Sequence, residues 1–364
     1  MNHVARVGEI SDQIRGVTFA KAESSDAPGP GLLPVLRAGN IQDGRLDLAD
    51  LVYVPEARVR QVQRLRVNDV VIAASSGSID VVGKAARTLE EDFQGGFGAF
   101  LKVLRPGPEV DPSYFAHFFQ TSTYRRTVSR LAAGANINNL KNEHLDNLEI
   151  PLPPIEEQRR IAAILDKADS IRDAMLNQGQ TLALLPMRLF RSTFGSSRTV
   201  DLASRVKFRS GSFLPKGAMK PGDVTVYGAN GVTGLHNEPL FDEAVVTVGR
   251  VGSCGAVNWA EGPSWVTDNA LVVTAGDTTL QLKFARYALQ AADLGRFASQ
   301  SNQPLISQAR VAAAQIPDVD DRAQAEFLRR VHGLDSVRSL SQRRLQRQQS
   351  LMEALQARAF SGRL

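Results

Sequence analysis

Hydrophobic positions along the chain fall into two kinds of segment. Short β-branched runs, VVIAA from Val70, LKVL from Leu101, AVVTV from Ala244 and ALVVT from Ala270, are bounded by Gly, Pro, Asn and Asp and predict strands. Tyr114 to Leu131 and Leu282 to Phe297 carry apolar residues at helical spacing without proline and predict helices. A longer pattern follows each mixed region. Ile161, Ile164, Ala168, Ile171, Met175, Gln178, Leu182, Leu185 and Leu189 recur at alternating intervals of three and four, apolar at all but Gln178, as in a coiled-coil seam that needs a partner. Phe327, Val331, Leu334, Val337, Leu345, Met352 and Leu355 form a poorer seam near the end, on a segment with nine Arg against three acids from Arg322 onward. Gly179 and Pro186 predict a bend or a restart late in the first long helix.

The two halves repeat. IPLPPIEEQRRIAAILDKADSIRD starts at Ile150 and IPDVDDRAQAEFLRRVHGLDSVRS at Ile316, an offset of 316 − 150 = 166 residues. The offset then pairs Gln158 with Gln324, Arg172 with Arg338, Leu185 with Leu351, Leu189 with Leu355 and Phe194 with Phe360 without a gap, and upstream Asn136 with Asn302. FAHFF at Phe115 meets FARYA at Phe284 after a three-residue slip. The expected fold is therefore α+β, with two similar domains separated by two long helices that form an antiparallel coiled coil, in a pseudo-two-fold arrangement. Expected boundaries are 1–152 and 196–318 for the domains and 153–195 and 319–364 for the helices. Pro153 and Pro154 keep the chain extended up to the first helix, and Glu156 and Glu157 suit its positive end. A helix of about 40 residues spans about 60 Å.

Composition narrows the function. Across 364 residues, 43% hydrophobic and 22% charged content describes a folded chain with room for two or three cores. No apolar run approaches 18 residues and the opening MNHVARVGEISDQIRG lacks a signal-peptide stretch, so a cytoplasmic location is expected. One cysteine, Cys254, and five histidines leave no metal site at ligand spacing. The net charge of +5 comes mainly from Arg, 34 against nine Lys, which suits phosphate and guanine contacts.

Catalytic motifs fail at particular positions. The stretch from Gly77 to Ala85 has one residue too many between its glycines for a P-loop, and Ala85 replaces the magnesium-binding Ser/Thr. GANGVTG from Gly228 and GRVGSCG from Gly249 are not dinucleotide fingerprints and read as turns. Asp111-Pro112-Ser113-Tyr114 lacks the second proline of a methyltransferase loop and reads as a helix start. Cys254 and His236 have no orienting carboxylate assigned to them. A binding protein, not an enzyme, is expected.

IPLPPIEEQRRIAAILDKAD (Ile150 to Asp169) resembles the central motif of specificity subunits of type I restriction-modification systems. VYGANGVTGLHN (Val226 to Asn237), VVTVGRVGSCGAVNW (Val245 to Trp259) and WVTDNALVV (Trp265 to Val273) are similar to one version of that family's target recognition domain. VLRAGNIQDGRLDL (Val35 to Leu48) and GANINNLKNEHLDNLEIPLPP (Gly134 to Pro154) resemble another, and LFRSTFG and LQARAFSG match its helix terminators.

The resemblance implies a DNA-binding protein whose two domains each read half of a split, asymmetric sequence. Two modification subunits carrying S-adenosylmethionine and methylating adenine N6 would dock on the helices, and ATP-dependent translocase/endonuclease restriction subunits would join them; the chain itself would hold no cofactor. Candidate DNA contacts are Arg37, Asn40, Lys84, Tyr227, Asn230, His236 and Arg250, with Asn40 and Asn230 also readable as turn residues. Candidate partner-docking and helix-motif residues are Pro153, Pro154, Gln158, Phe190, Phe194, Gln324 and Phe360. The second motif lacks the Pro-Pro and Glu of the first. Other readings are a recognition subunit of a phage-defence system that methylates without a nuclease, and a coiled-coil scaffold without DNA binding, whose associations would lack steep salt dependence.

Overall fold

The computed structural model describes residues 3–89, 93–132, 138–275, 282–299 and 304–364. Asn136 and Asn302, paired by the repeat, and residues 134–137 of the motif ending at Pro154 lie outside these. The chain divides into two compact units, Met1–Met175 with Arg344–Leu364, and Leu176–Arg343.

The first unit centres on a four-stranded antiparallel sheet in the order Ser11–Arg15, Leu101–Pro106, Val70–Ala73, Ala85–Arg87. Val70–Ala73 is buried throughout, and its alternating side chains enter different cores. Val70 and Ile72 join the helix Pro112–Phe118 and the long helices, while Val71 and Ala73 join Leu36, Phe97 and Leu101 on the opposite face. A strand covered on both faces reads as a continuous apolar run, which is why this segment is so legible. The second layer is a three-stranded sheet in which Leu32–Leu36 pairs parallel with Gly96–Phe97 and antiparallel with Val52–Pro55. Val4–Arg6 pairs with Glu149–Pro151, closing the domain where the long helix begins.

The second unit repeats this plan. Its four-stranded sheet runs Val206–Ser210, Ala270–Ala275, Val245–Gly249, Val257–Ala260, and Val224–Gly228 pairs antiparallel with Gly231–His236 and parallel with Ser264–Val266. Thr199–Asp201 with Gln315–Pro317 closes it. Strand order and sense match those of the first unit in all three sheets. The clearest insertion is in the first unit, where the hairpin Ile41–Gln42/Arg45–Leu46 occupies a connection that the second makes in two residues.

The predicted helices before each closing strand are shorter than expected. Tyr114 to Leu131 is two helices, Pro112–Phe118 and Ser122–Ala132. The Thr121 hydroxyl donates to Phe118 O (2.8 Å) and accepts from Tyr124 N (3.1 Å), ending one and starting the next. The second-unit helix Leu282–Ala291 stops before Asp293, which has φ 47°.

The long helices are Ile155–Phe194 and Asp321–Ala359. The first does not restart: it is continuous through Gly179 and Pro186. The hydrogen bond lost at Pro186 costs about 3 kcal/mol, which burial of Pro186 and its neighbours Phe190 and Phe194 offsets. In the first unit Ile161, Ala162, Leu165 and Ala168 bury with Met352 and Ala359. Gln348 donates to Ala168 O and Arg160 to Leu364 O, so rising numbers on one segment meet falling numbers on the other and the segments run antiparallel. The buried stripe is wider than a 3,4 seam: Leu165 is fully buried while Ile171 is 39% exposed and Gln178 is exposed. A helix that also covers a sheet buries a broader face than one that meets only another helix.

Candidate nucleic-acid interface

Both units are built to bring the same strand ends together. Glycine directly follows the first-named strand of each four-stranded sheet, Gly16 after Ser11–Arg15 and Gly211 after Val206–Ser210. An added Cβ would run into Gly98 O at the first and into Val266 O and Thr267 O at the second. Close approach of two backbones requires a residue without a side chain. The same hydrogen bonds follow. Val17 N donates to Phe97 O (2.7 Å) as Ser212 N donates to Val266 O (2.9 Å). Gly98 N donates to Leu36 O (2.9 Å) as Thr267 N does to Tyr227 O (2.8 Å), and Ala74 N to Phe100 O (2.8 Å) as Arg250 N does to Asn269 O (2.9 Å). Strand exits carrying Arg37, Ser75 and Phe100 in one unit, and Phe213, Asn230 and Arg250 in the other, therefore converge on one rim per unit.

In the first unit this rim encloses a groove of about 910 Å³, lined by Phe19, Arg37, Asn40, Gln42, Asp47, Asp50, Ser75, Ser76 and Phe100 among others. Arg37 is half-exposed and pairs with the exposed Asp50 at 2.9 Å. Such a lining offers a guanine-binding cation and carboxylates suited to cytosine N4.

Of the seven sequence candidates for DNA contact, Arg37, Lys84, Asn230 and Arg250 keep accessible surface. Arg250 also donates to Ser210 Oγ (3.4 Å). The other three are structural. Asn40 is buried: its Oδ1 accepts from Arg37 N (2.7 Å) and its Nδ2 donates to Asp47 O and Asp50 O (2.8 and 2.9 Å), so its amide shapes the loop instead of facing a base. Tyr227 is buried in the core with Phe241 and Val272. His236 is buried, accepts from Lys220 N (3.1 Å) and meets Trp265 edge-on. Residues next to tight turns are recruited to build the turn, and spacing alone does not separate the two roles. Two groups were missed: Phe100 and Phe213, exposed at 68% and 73%. In sequence each is a Phe between a small residue and a leucine, a context that does not announce exposure.

Most of the helix-motif candidates also face inward. Gln158 and Gln324 are each 1% exposed, and Phe190 and Phe194 pack on Phe284 and Phe327. Phe360 is partly buried on Tyr114 and Phe118. Pro153 O accepts from Gln158, and exposed Pro154 caps the helix start through its carbonyl. The buried ones anchor each helix end to its own unit.

Where Phe190 packs in the second unit, the repeat places Gln356 in the first, beside a polar recess of about 510 Å³ holding Arg45, Arg87, Ser113, His117 and Asp166. Burial pushes the Asp166 carboxyl up, but hydrogen bonds from His117 (2.9 Å) and Ser113 (2.7 Å), with the charges of His117 and Arg87, hold it below its ordinary value. Lys102 is buried beneath the rim and donates to Leu140 O and Asn142 Oδ1, both at 2.7 Å. Burial brings its ammonium down to about 8, with Asp146 opposing and Arg15 assisting. Cys254 donates to Arg250 O, and burial raises its thiol.

The family model described as the type I restriction modification DNA specificity domain matches residues 3–183. Residues 3–183 therefore carry a type I restriction-modification specificity domain. The chain is 45% identical over 162 residues to the StySPI specificity subunit of Salmonella potsdam, covering 44% of this chain and 35% of that protein. It is 45% identical over 163 residues to the EcoKI specificity subunit of Escherichia coli K12, covering 45% and 35%. The match thus spans about a third of the length of these curated relatives. In fold it is similar to the S subunit of the type I system of M. genitalium, with a TM-score of 0.52 at 18% identity, covering 98% of this chain and 96% of that one. A chain from a structure of the assembly and conformational transition of the type I system gives a TM-score of 0.61 at 15% identity, covering 100% and 98%. Among the described residues no helix is long and apolar enough to cross a membrane.

Proposed function

We propose that this chain is the non-catalytic specificity subunit of a type I restriction-modification complex, with its two rims reading the two halves of a split, asymmetric DNA sequence. The observation that carries this reading is the repetition of one hydrogen-bonded convergence of strand ends in both units, each exposing arginine and aromatic side chains. Phosphate contacts fix register on such a surface and a few side chains read base edges. In this reading residues 1–152 and 196–318 recognise DNA and residues 153–195 and 319–364 carry two modification subunits. Those partners hold S-adenosylmethionine and methylate adenine N6; restriction subunits complete the assembly. The partner surface lies on the outward helix faces, where Ile171, Leu176, Leu184, Val337 and Leu340 are each 39–55% exposed, and not on the buried motif residues.

The test is methylome mapping in cells that express a cognate adenine methyltransferase with and without this chain. Methylation confined to one bipartite sequence and dependent on the chain is expected. Methylation independent of it, or binding to duplex DNA that is insensitive to salt between 50 and 200 mM, would overturn the reading.

A further inference from the structure

Phe100 and Phe213 are the most exposed large hydrophobic side chains among the described residues, one in each unit. Neither dangles from a loose loop. Phe100 O accepts from both Ala74 N and Ser75 N (2.8 and 3.1 Å), and Leu101 enters the central sheet directly after it. The chain before Phe213 is held by Gly211 N on Ala270 O and Ser212 N on Val266 O, and Trp265 Nε1 donates to Ser212 O (3.1 Å). The positions are not equivalent in the repeat: Phe100 follows the parallel strand and Phe213 follows the first strand. Yet each emerges on the rim of its own unit, Phe100 beside Arg37 and Ser76, and Phe213 in the segment leading off Ser210, the partner of Arg250. A rigidly presented aromatic left in water neither stabilises its own fold nor improves its solubility, whereas against a base edge it supplies apolar contact at little cost in ordering.

We infer that Phe100 and Phe213 are specificity-determining residues, each making apolar contact with a thymine methyl group in its own half of the recognised sequence. The inference rests on the DNA-reading function proposed above. Thymine is the base whose major-groove edge carries an apolar group, and Phe suits that edge.

The test uses the full chain in complex with its methyltransferase subunits, comparing wild type with Phe100→Ala, Phe100→Leu, Phe213→Ala and Phe213→Leu. Binding is measured on duplexes varied base by base in each half-site, with deoxyuridine replacing thymidine in a parallel set. Each Ala variant should lose roughly 5- to 100-fold of its preference for thymine at one position of one half-site, and the penalty wild type shows for deoxyuridine there should vanish. The Leu variants should retain most of both, and thermal midpoints should not move. Uniform weakening with every base preference intact, or no change, overturns the inference. Failure of the wild-type complex to prefer any sequence would instead overturn the function it rests on.

Discussion

Gln158 and Gln324, 166 residues apart, make the same bond: each donates its Nε2 to the carbonyl five residues earlier, Pro153 O at 2.8 Å and Val319 O at 3.1 Å. Gln158 also accepts from Asp111 N (2.8 Å), joining the long helix to the start of Pro112–Phe118. The second motif has lost its Pro-Pro, yet the amide that holds the carbonyl just ahead of the helix is kept and buried. Gln158→Leu removes the partner of Asp111 N and of Pro153 O at partly buried positions. We expect a loss of about 1–3 kcal/mol for each group left unsatisfied, read as a lower urea midpoint.

Asn40 and Arg37 separate structure from recognition within one loop. Asn40→Ala removes three internal hydrogen bonds and should destabilise by about 1–3 kcal/mol. Arg37→Ala should change stability by no more than about 0.5 kcal/mol while costing about 1–3 kcal/mol of discrimination at one base pair. Chemical denaturation and half-site binding check the two together.

Gly16→Ala and Gly211→Ala force a methyl into a neighbouring carbonyl where two strand exits meet. Each should destabilise by about 1–3 kcal/mol and disturb sequence preference in one half-site only. Equal effects on both half-sites would count against a separate reader in each unit.

Phe190 is 1% exposed within a cluster of Phe194, Phe284 and Phe327. Phe190→Ala should cost about 3–5 kcal/mol, measured by urea unfolding.

Lys102 supplies a pH dependence. Its folded value is about 8 against an ordinary 10.5, so between these the unfolded chain holds a proton that the folded chain has released. Its contribution to unfolding free energy therefore rises with pH across that window and is least favourable below about 8. The difference in unfolding free energy between wild type and Lys102→Met should shift in favour of wild type from pH 8 to 10.5; a flat difference would show that the amine is not held down.

By itself the sequence determined what depends on local pattern and on duplication. Val70–Ala73 and Val245–Gly249 announce themselves because strands covered on both faces must be continuously apolar, and the 166-residue register announces one plan used twice. Arg37 and Arg250 stood out in the sequence for the chemistry of the guanidinium, and both keep accessible surface. Tertiary structure alone decided which turn residues face outward. Asn40, Tyr227 and His236 have the chemistry of base readers, but burial and hydrogen bonding commit them to the fold, while Phe100 and Phe213, with the chemistry of core residues, are held in water. A side chain's type limits what it can bind, but its direction is set by backbone bonds to strands distant in sequence, which no local spacing encodes.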